Sequence, residues 1–204
     1  MLDRDPVLHP TPIADLRPTQ MTVGLIEVER KRAEYVARTA ADDAAFLSHH
    51  LIPAVLGPKR RPWIIDNHHL ALALHRAGQK SVLLLIAADL SHLSRRMFLT
   101  VMDNRNWLHP FDVHGHRRPV DDLPRSLEKL TDDPYRSLAG ALRRAGGYAK
   151  VEVPFAEFLW ADFLRRRVKP DLLARDFDAA LARALKLARH ADATYLPGWA
   201  GPHD

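Results

Sequence analysis

The feature that most constrains this chain is a succession of signals between Trp63 and Ala88. Trp63-Ile64-Ile65 is a short β-rich run, and Asp66 stands where a helix N-cap belongs. The residues through Arg76 contain no helix breaker, and Gly78 supplies a C-terminal stop. Ser81 to Ala88 follows as the most apolar stretch of the chain, with a length that suits a buried strand better than a helix. Strand, cap, helix, glycine and strand make an α/β unit. Upstream, Ile52 to Leu56 is β-rich and Gly57-Pro58-Lys59 is a turn signal, so these residues and Trp63 to Ile65 are predicted to pair as a hairpin. Glu27 to Leu47 has helical spacing. A compact α/β core is expected between residues 19 and 90.

Downstream the pattern turns helical. Ser91 to Val101, Pro134 to Ala145, Phe155 to Val168 and Leu172 to His190 all read as helices, and Asn104 to Leu123 reads as a long loop or lid rich in Pro, Gly, His and Asp. The fold class expected is α/β (α+β), a small mixed sheet with a mostly helical C-terminal half. Its divisions are an extended proline-rich arm over residues 1–18, a domain over 19–168, and a C-terminal helix and tail over 169–204.

The absence of cysteine excludes disulfides, thiolate metal sites and cysteine nucleophiles, so any metal would need His, Asp or Glu. The first twelve residues carry Asp3, Arg4, Asp5 and three prolines rather than an apolar secretory core, and no apolar run approaches the roughly 20 residues that span a bilayer. The expectation is a cytoplasmic protein with no membrane partner. A net charge of +5 and a pI near 9.7 favour polyanionic partners. Much of that excess lies in short basic runs such as Lys59-Arg60-Arg61 and Arg165-Arg166-Arg167, which are more often solvated faces.

The helix start after Ile65 offers backbone amides and the positive end of a macrodipole to an anion, with His68 and His69 as further donors. Adjacent helical positions point in different directions, so one histidine is expected to face a ligand. The competing reading is that Asp66 simply caps the helix. Glu27 and Lys31, four apart, fit an ordinary surface pair. His109, Asp112, His114 and His116 crowd one loop without the spacing of a zinc motif. Asp133 and Pro134 read as the cap and first residue of a helix. A helix-turn-helix over Ser137 to Arg167 is disfavoured, because Phe155, Phe158, Trp160 and Phe163 make the second helix too apolar to lie in a groove.

A broader pattern runs through Pro18-Thr19-Gln20, Val23-Gly24, Glu27-Val28, Lys31, Asp66-Asn67-His68-His69, Asp132-Asp133-Pro134-Tyr135-Arg136-Ser137-Leu138, Gly146 to Lys150 and Pro154 to Phe163. It resembles the ParB-like family often described as nucleases, within the ParB/sulfiredoxin superfamily that also includes free serine kinases. The resemblance implies a phosphate site at Asp66, Asn67, His68 and His69, with Asn67 where the superfamily usually has glycine. It makes Gln20, Lys31 and Arg136 nucleotide or phosphate contacts, and Glu27 and His69 catalytic, Glu27 as general base. The nucleotide implied is ATP or ADP, with CTP as the other choice and Mg²⁺ bridging phosphates. The first functional expectation is nucleotide-dependent phosphoryl transfer or hydrolysis on a small molecule. The second is a DNA-binding or nuclease-like protein, whose affinity would fall steeply with salt.

Overall fold

A computed structural model describes residues 10–38 and 40–202. Its strands are β1 (Pro10–Pro12), β2 (Arg17–Pro18), β3 (Thr22–Val23), β4 (Ile52–Gly57), β5 (Arg61–Ile64), β6 (Ser81–Asp89) and β7 (Thr131–Asp132). Its α-helices are α1 (Leu25–Val36), α2 (Ala40–His49), α3 (His68–Arg76), α4 (Arg95–Asn104), α5 (Pro134–Arg144), α6 (Ala156–Arg165), α7 (Pro170–Arg175) and α8 (Phe177–Ala188). The chain divides into two units. One holds residues up to Thr22 and Val28–Thr131; the other holds Val23–Glu27 and the residues from Asp132 onward.

The first unit contains a five-stranded mixed sheet in the order β1-β6-β4-β5-β2. The predicted hairpin forms: β4 and β5 are antiparallel, with Ala54 opposite Ile64 and Val55 opposite Trp63. Helix α3 then carries the chain back so that β6 lies parallel to β4. Leu70, Leu72 and Leu74 are buried along α3. Trp63 and Phe98, with ring centroids 5.3 Å apart, join Val55, Leu99, Met102 and Leu108 in this unit's core. Residues 1–9 of the expected arm lie outside the described residues. Pro10–Pro12 pairs with β6 and Arg17–Pro18 with β5, so residues 10–18 supply both edges of the sheet.

Strand β6 departs from the expected fully buried strand. Val82 and Leu84 are buried, but Leu85 is 41% exposed and Ala87 and Asp89 face solvent. Strand β1 pairs only with Ser81 to Leu83, so the far half of β6 has a partner on one side among the described residues.

The second unit is helical. Helix α5 packs on α6 and α8, and α7 on α8, around Leu138, Leu142, Trp160, Phe163 and Leu164. Trp160 is completely buried, stacks on Tyr148 at 4.4 Å and donates its indole N–H to Pro197 O at 2.8 Å. Burial of this kind gives about 1.5–3 kcal/mol per large apolar side chain. The apolar α6 is thus spent on packing.

Several helix boundaries differ from the sequence reading for local reasons. The segment Glu27 to Leu47 is two helices, because Arg38 N–H turns back to Tyr35 O and closes α1 with a tightened turn. Leu172 to His190 is also two, because Asp176 adopts an extended backbone and its carboxylate accepts from Ala179 N–H, capping α8. Helix α4 starts only at Arg95, where Ser94 Oγ accepts from Met97 N–H. Helix α6 starts after Phe155, which takes the left-handed conformation at φ 60°.

Candidate functional site

In the first unit the site is built around the turn between β5 and α3. Asn67, not Asp66, is the residue preceding α3, and it sits in the left-handed region at φ 61°, ψ 26°. Asparagine tolerates that conformation better than other residues with a Cβ. Asp66 is exposed, and its Oδ1 accepts from Asn67 N–H at 2.6 Å, so its carboxylate closes the turn rather than capping the helix. Asn67 Nδ2 donates to Leu51 O at 3.1 Å and fastens the turn to the residue before β4. The Asn67 side chain makes no capping bond to α3, whose first intrahelical bond runs from Ala71 N–H to Asn67 O. The first turn of α3 contains no acidic residue to offset the positive end of the helix.

The two adjacent histidines do different things. His68 is buried, and its Nε2 accepts from Thr19 N–H at 3.1 Å while Thr19 Oγ1 donates to Ile64 O at 2.8 Å. His68 thereby latches the segment after β2 to the first residue of α3. An Nε2 that accepts here carries no proton, so this nitrogen is not an anion donor. His69, on the next helical position, stays partly exposed. Gln20 follows the latch residue Thr19; it is 6% exposed, and its side-chain Nε2 has no hydrogen-bond partner. A buried amide short of a partner calls for a water or a ligand acceptor. Lys31 lies partly exposed on α1.

Glu27 and Arg136 belong to the second unit. Glu27 is 6% exposed and its Oε2 is ion-paired with Arg144. Gly140 lies beside this pair: a Cβ there would come within 3.5 Å of Arg144 Nη1 and 3.8 Å of Glu27 Oε2. Helix α5 is capped as expected, with Asp133 Oδ1 accepting from Tyr135 N–H at 3.0 Å and Oδ2 held by Arg165 at 2.5 Å. Burial pushes the Asp133 carboxyl up, against the opposing pull of Arg165 and Arg136. Arg136 is buried, and desolvation pushes its guanidinium down.

Thr19 and Ser137 escaped the sequence reading as site residues. Thr19 is joined to His68 across 49 positions, and no local pattern marks such a pairing. The histidine loop uses its carboxylate internally: Asp112 Oδ1 accepts from the backbone N–H groups of His114 and His116. No metal-holding cluster of His, Asp and Glu is found among the described residues.

A family model described as "Putative ParB-like nuclease" matches residues 9–166. The crystal structure of protein Atu1540 from Agrobacterium tumefaciens is similar at a TM-score of 0.92 and 52% sequence identity, over 98% of this chain and 99% of that one. No curated protein matches. No helix among the described residues is long and apolar enough to cross a membrane. With the strand–turn–helix at Asn67 and a family match over most of its length, the chain belongs to the ParB-like family.

Proposed function

We propose that this protein binds the phosphate group of a nucleotide or nucleic acid at the start of α3 and acts on it by phosphoryl transfer or hydrolysis. The observation that carries the reading is the strand–turn–helix in which α3 starts on left-handed Asn67 with no acidic residue in its first turn. Backbone amides at such a start point outward along the helix axis, and a phosphate there gains both hydrogen bonds and the helix field. The buried, unpartnered Gln20 amide beside the His68 latch supports it. His69 is the side-chain donor on this reading, and ATP, ADP or CTP with Mg²⁺ is the nucleotide set to try first. The alternative is a nuclease-like protein on DNA, favoured by the family description and the positive net charge.

Glu27 is the general base on this reading, being a carboxylate withdrawn from bulk water and fixed by Arg144. The test is a phosphate-release assay on nucleotides and a strand-cleavage assay on a short DNA duplex. Glu27→Gln should lose turnover by about 10²–10⁴-fold with ligand affinity retained. Full turnover in Glu27→Gln would remove the base from the account while leaving the phosphate site standing.

A further inference from the structure

The first turns of α1 and α5 come together inside the second unit. Leu25 N–H donates to Asp132 Oδ1 at 2.8 Å, and Asp133 N–H donates to Val23 O at 2.8 Å. Gly24 lies so close that a Cβ on it would fall 2.5 Å from both Ser137 N and Ser137 Oγ and 2.8 Å from Ser137 Cα. Helices of twelve and eleven residues therefore start side by side, with their positive ends in one region.

Within that region two consecutive residues of α5 carry unmet buried donors. Arg136 is 4% exposed and Ser137 1% exposed. Arg136 Nε and Nη1 and Ser137 Oγ have no hydrogen-bond partner. The remaining nitrogen, Arg136 Nη2, lies 3.7 Å from Glu157 Oε2, beyond hydrogen-bond reach, and Glu157 is engaged by Arg143. Phe158 covers one face of the guanidinium, with Cζ 3.4 Å from the ring centroid, so only the edges remain to be satisfied. A buried guanidinium held this way is costly unless something completes it. Nearly every buried polar group in a folded protein has a partner, so orphans on consecutive residues of one helix turn mark a missing acceptor.

We propose that Arg136 and Ser137 form an oxyanion site at the start of α5 that takes a singly charged phosphate group. The unmet Arg136 nitrogens can only donate and the Ser137 hydroxyl can donate, which favours a ligand rich in acceptor oxygens. Guanidinium and hydroxyl donors together match phosphate oxygens. The charge limit comes from Glu157 and Asp133, which face Arg136 and oppose a second negative charge on the ligand. A phosphodiester or monoanionic inorganic phosphate meets these conditions, and a carboxylate shares the oxyanion chemistry.

The test is thermal denaturation of the full chain with inorganic phosphate, with acetate, or with a dinucleotide, each against chloride at matched ionic strength. The wild type should gain stability with phosphate and the dinucleotide, and less with acetate. Arg136→Met should melt at or above the wild type without oxyanion, because it removes an incompletely paired buried charge, and should bind phosphate about 100-fold more weakly. Arg136→Lys, which keeps the charge, should fold and bind about 10-fold more weakly, as should Ser137→Ala. A phosphate response unchanged in Arg136→Lys and Ser137→Ala but lost in Gln20→Ala belongs to α3 and overturns the proposal. So does a wild type indifferent to all three oxyanions. Stabilisation by acetate alone would overturn the phosphate assignment.

Discussion

Helix α3 begins on a left-handed asparagine with no side-chain cap, whereas α5 begins on an extended aspartate whose carboxylate accepts from Tyr135 N–H. The α3 start sits at a turn whose exposed Asp66 bonds only to the next residue's amide. The α5 start is buried, capped and crossed by the ion pair of Asp133 with Arg165. At α3 the Asn67 side chain makes no cap, while at α5 the cap is made and Arg136 and Ser137 carry unmet buried donors. The two candidate sites therefore rest on different features, one on a left-handed turn at the helix start and the other on side chains buried without acceptors.

Substitutions that strike the α5 region should cost most stability. Trp160→Ala removes a completely buried indole and its bond to Pro197 O, and should destabilise by about 3–5 kcal/mol in chemical denaturation. Asp133→Ala removes the α5 cap and leaves Arg165 without its buried partner. Its expected cost is about 3 kcal/mol or more, and a loss under 1 kcal/mol would show that the buried pair contributes little. Gly24→Ala, forced against Ser137, should cost about 1–3 kcal/mol by the same measurement.

At α3 the effects should be smaller and should depend on backbone conformation. Asn67→Ile places a β-branched residue in the left-handed region and should cost about 1–2 kcal/mol, while Asn67→Gly should stay within about 1 kcal/mol of the wild type. Equal costs for the two would mean that the bond to Leu51 O, rather than the left-handed turn, holds this start in place. Smallest of all, Asp66→Ala should change stability by about 0.5 kcal/mol or less, because its carboxylate is exposed and caps nothing.

Much of the sheet was legible from local pattern. The hairpin, the helix closed before Gly78 and the β6 strand follow from β-rich runs, a turn signal and a glycine stop, which act over a few residues. Asp133 was readable as a cap because Asp-Pro is a local signal. The position of the α3 start was misread by one residue, since Asp at a helix entrance is a common cap, and the left-handed turn at Asn67 was signalled only by its standing where the superfamily usually has glycine. The pairing of β2 with β5, the His68–Thr19 latch and the approach of Gly24 to Ser137 depend on residues tens to more than a hundred positions apart, so no window of sequence contains them. Arg136 drew notice through family resemblance, but its burial and its missing partners exist only in three dimensions.

The most direct test of phosphate binding at α3 is calorimetric titration with ATP, ADP and CTP in the presence of Mg²⁺, for the wild type, His69→Ala and Asn67→Gly. Micromolar binding kept in Asn67→Gly and weakened about 10-fold or more in His69→Ala is the result expected from a phosphate on the α3 start. Nucleotide binding indifferent to His69→Ala, or no nucleotide signal alongside salt-sensitive binding of a DNA duplex, would contradict it.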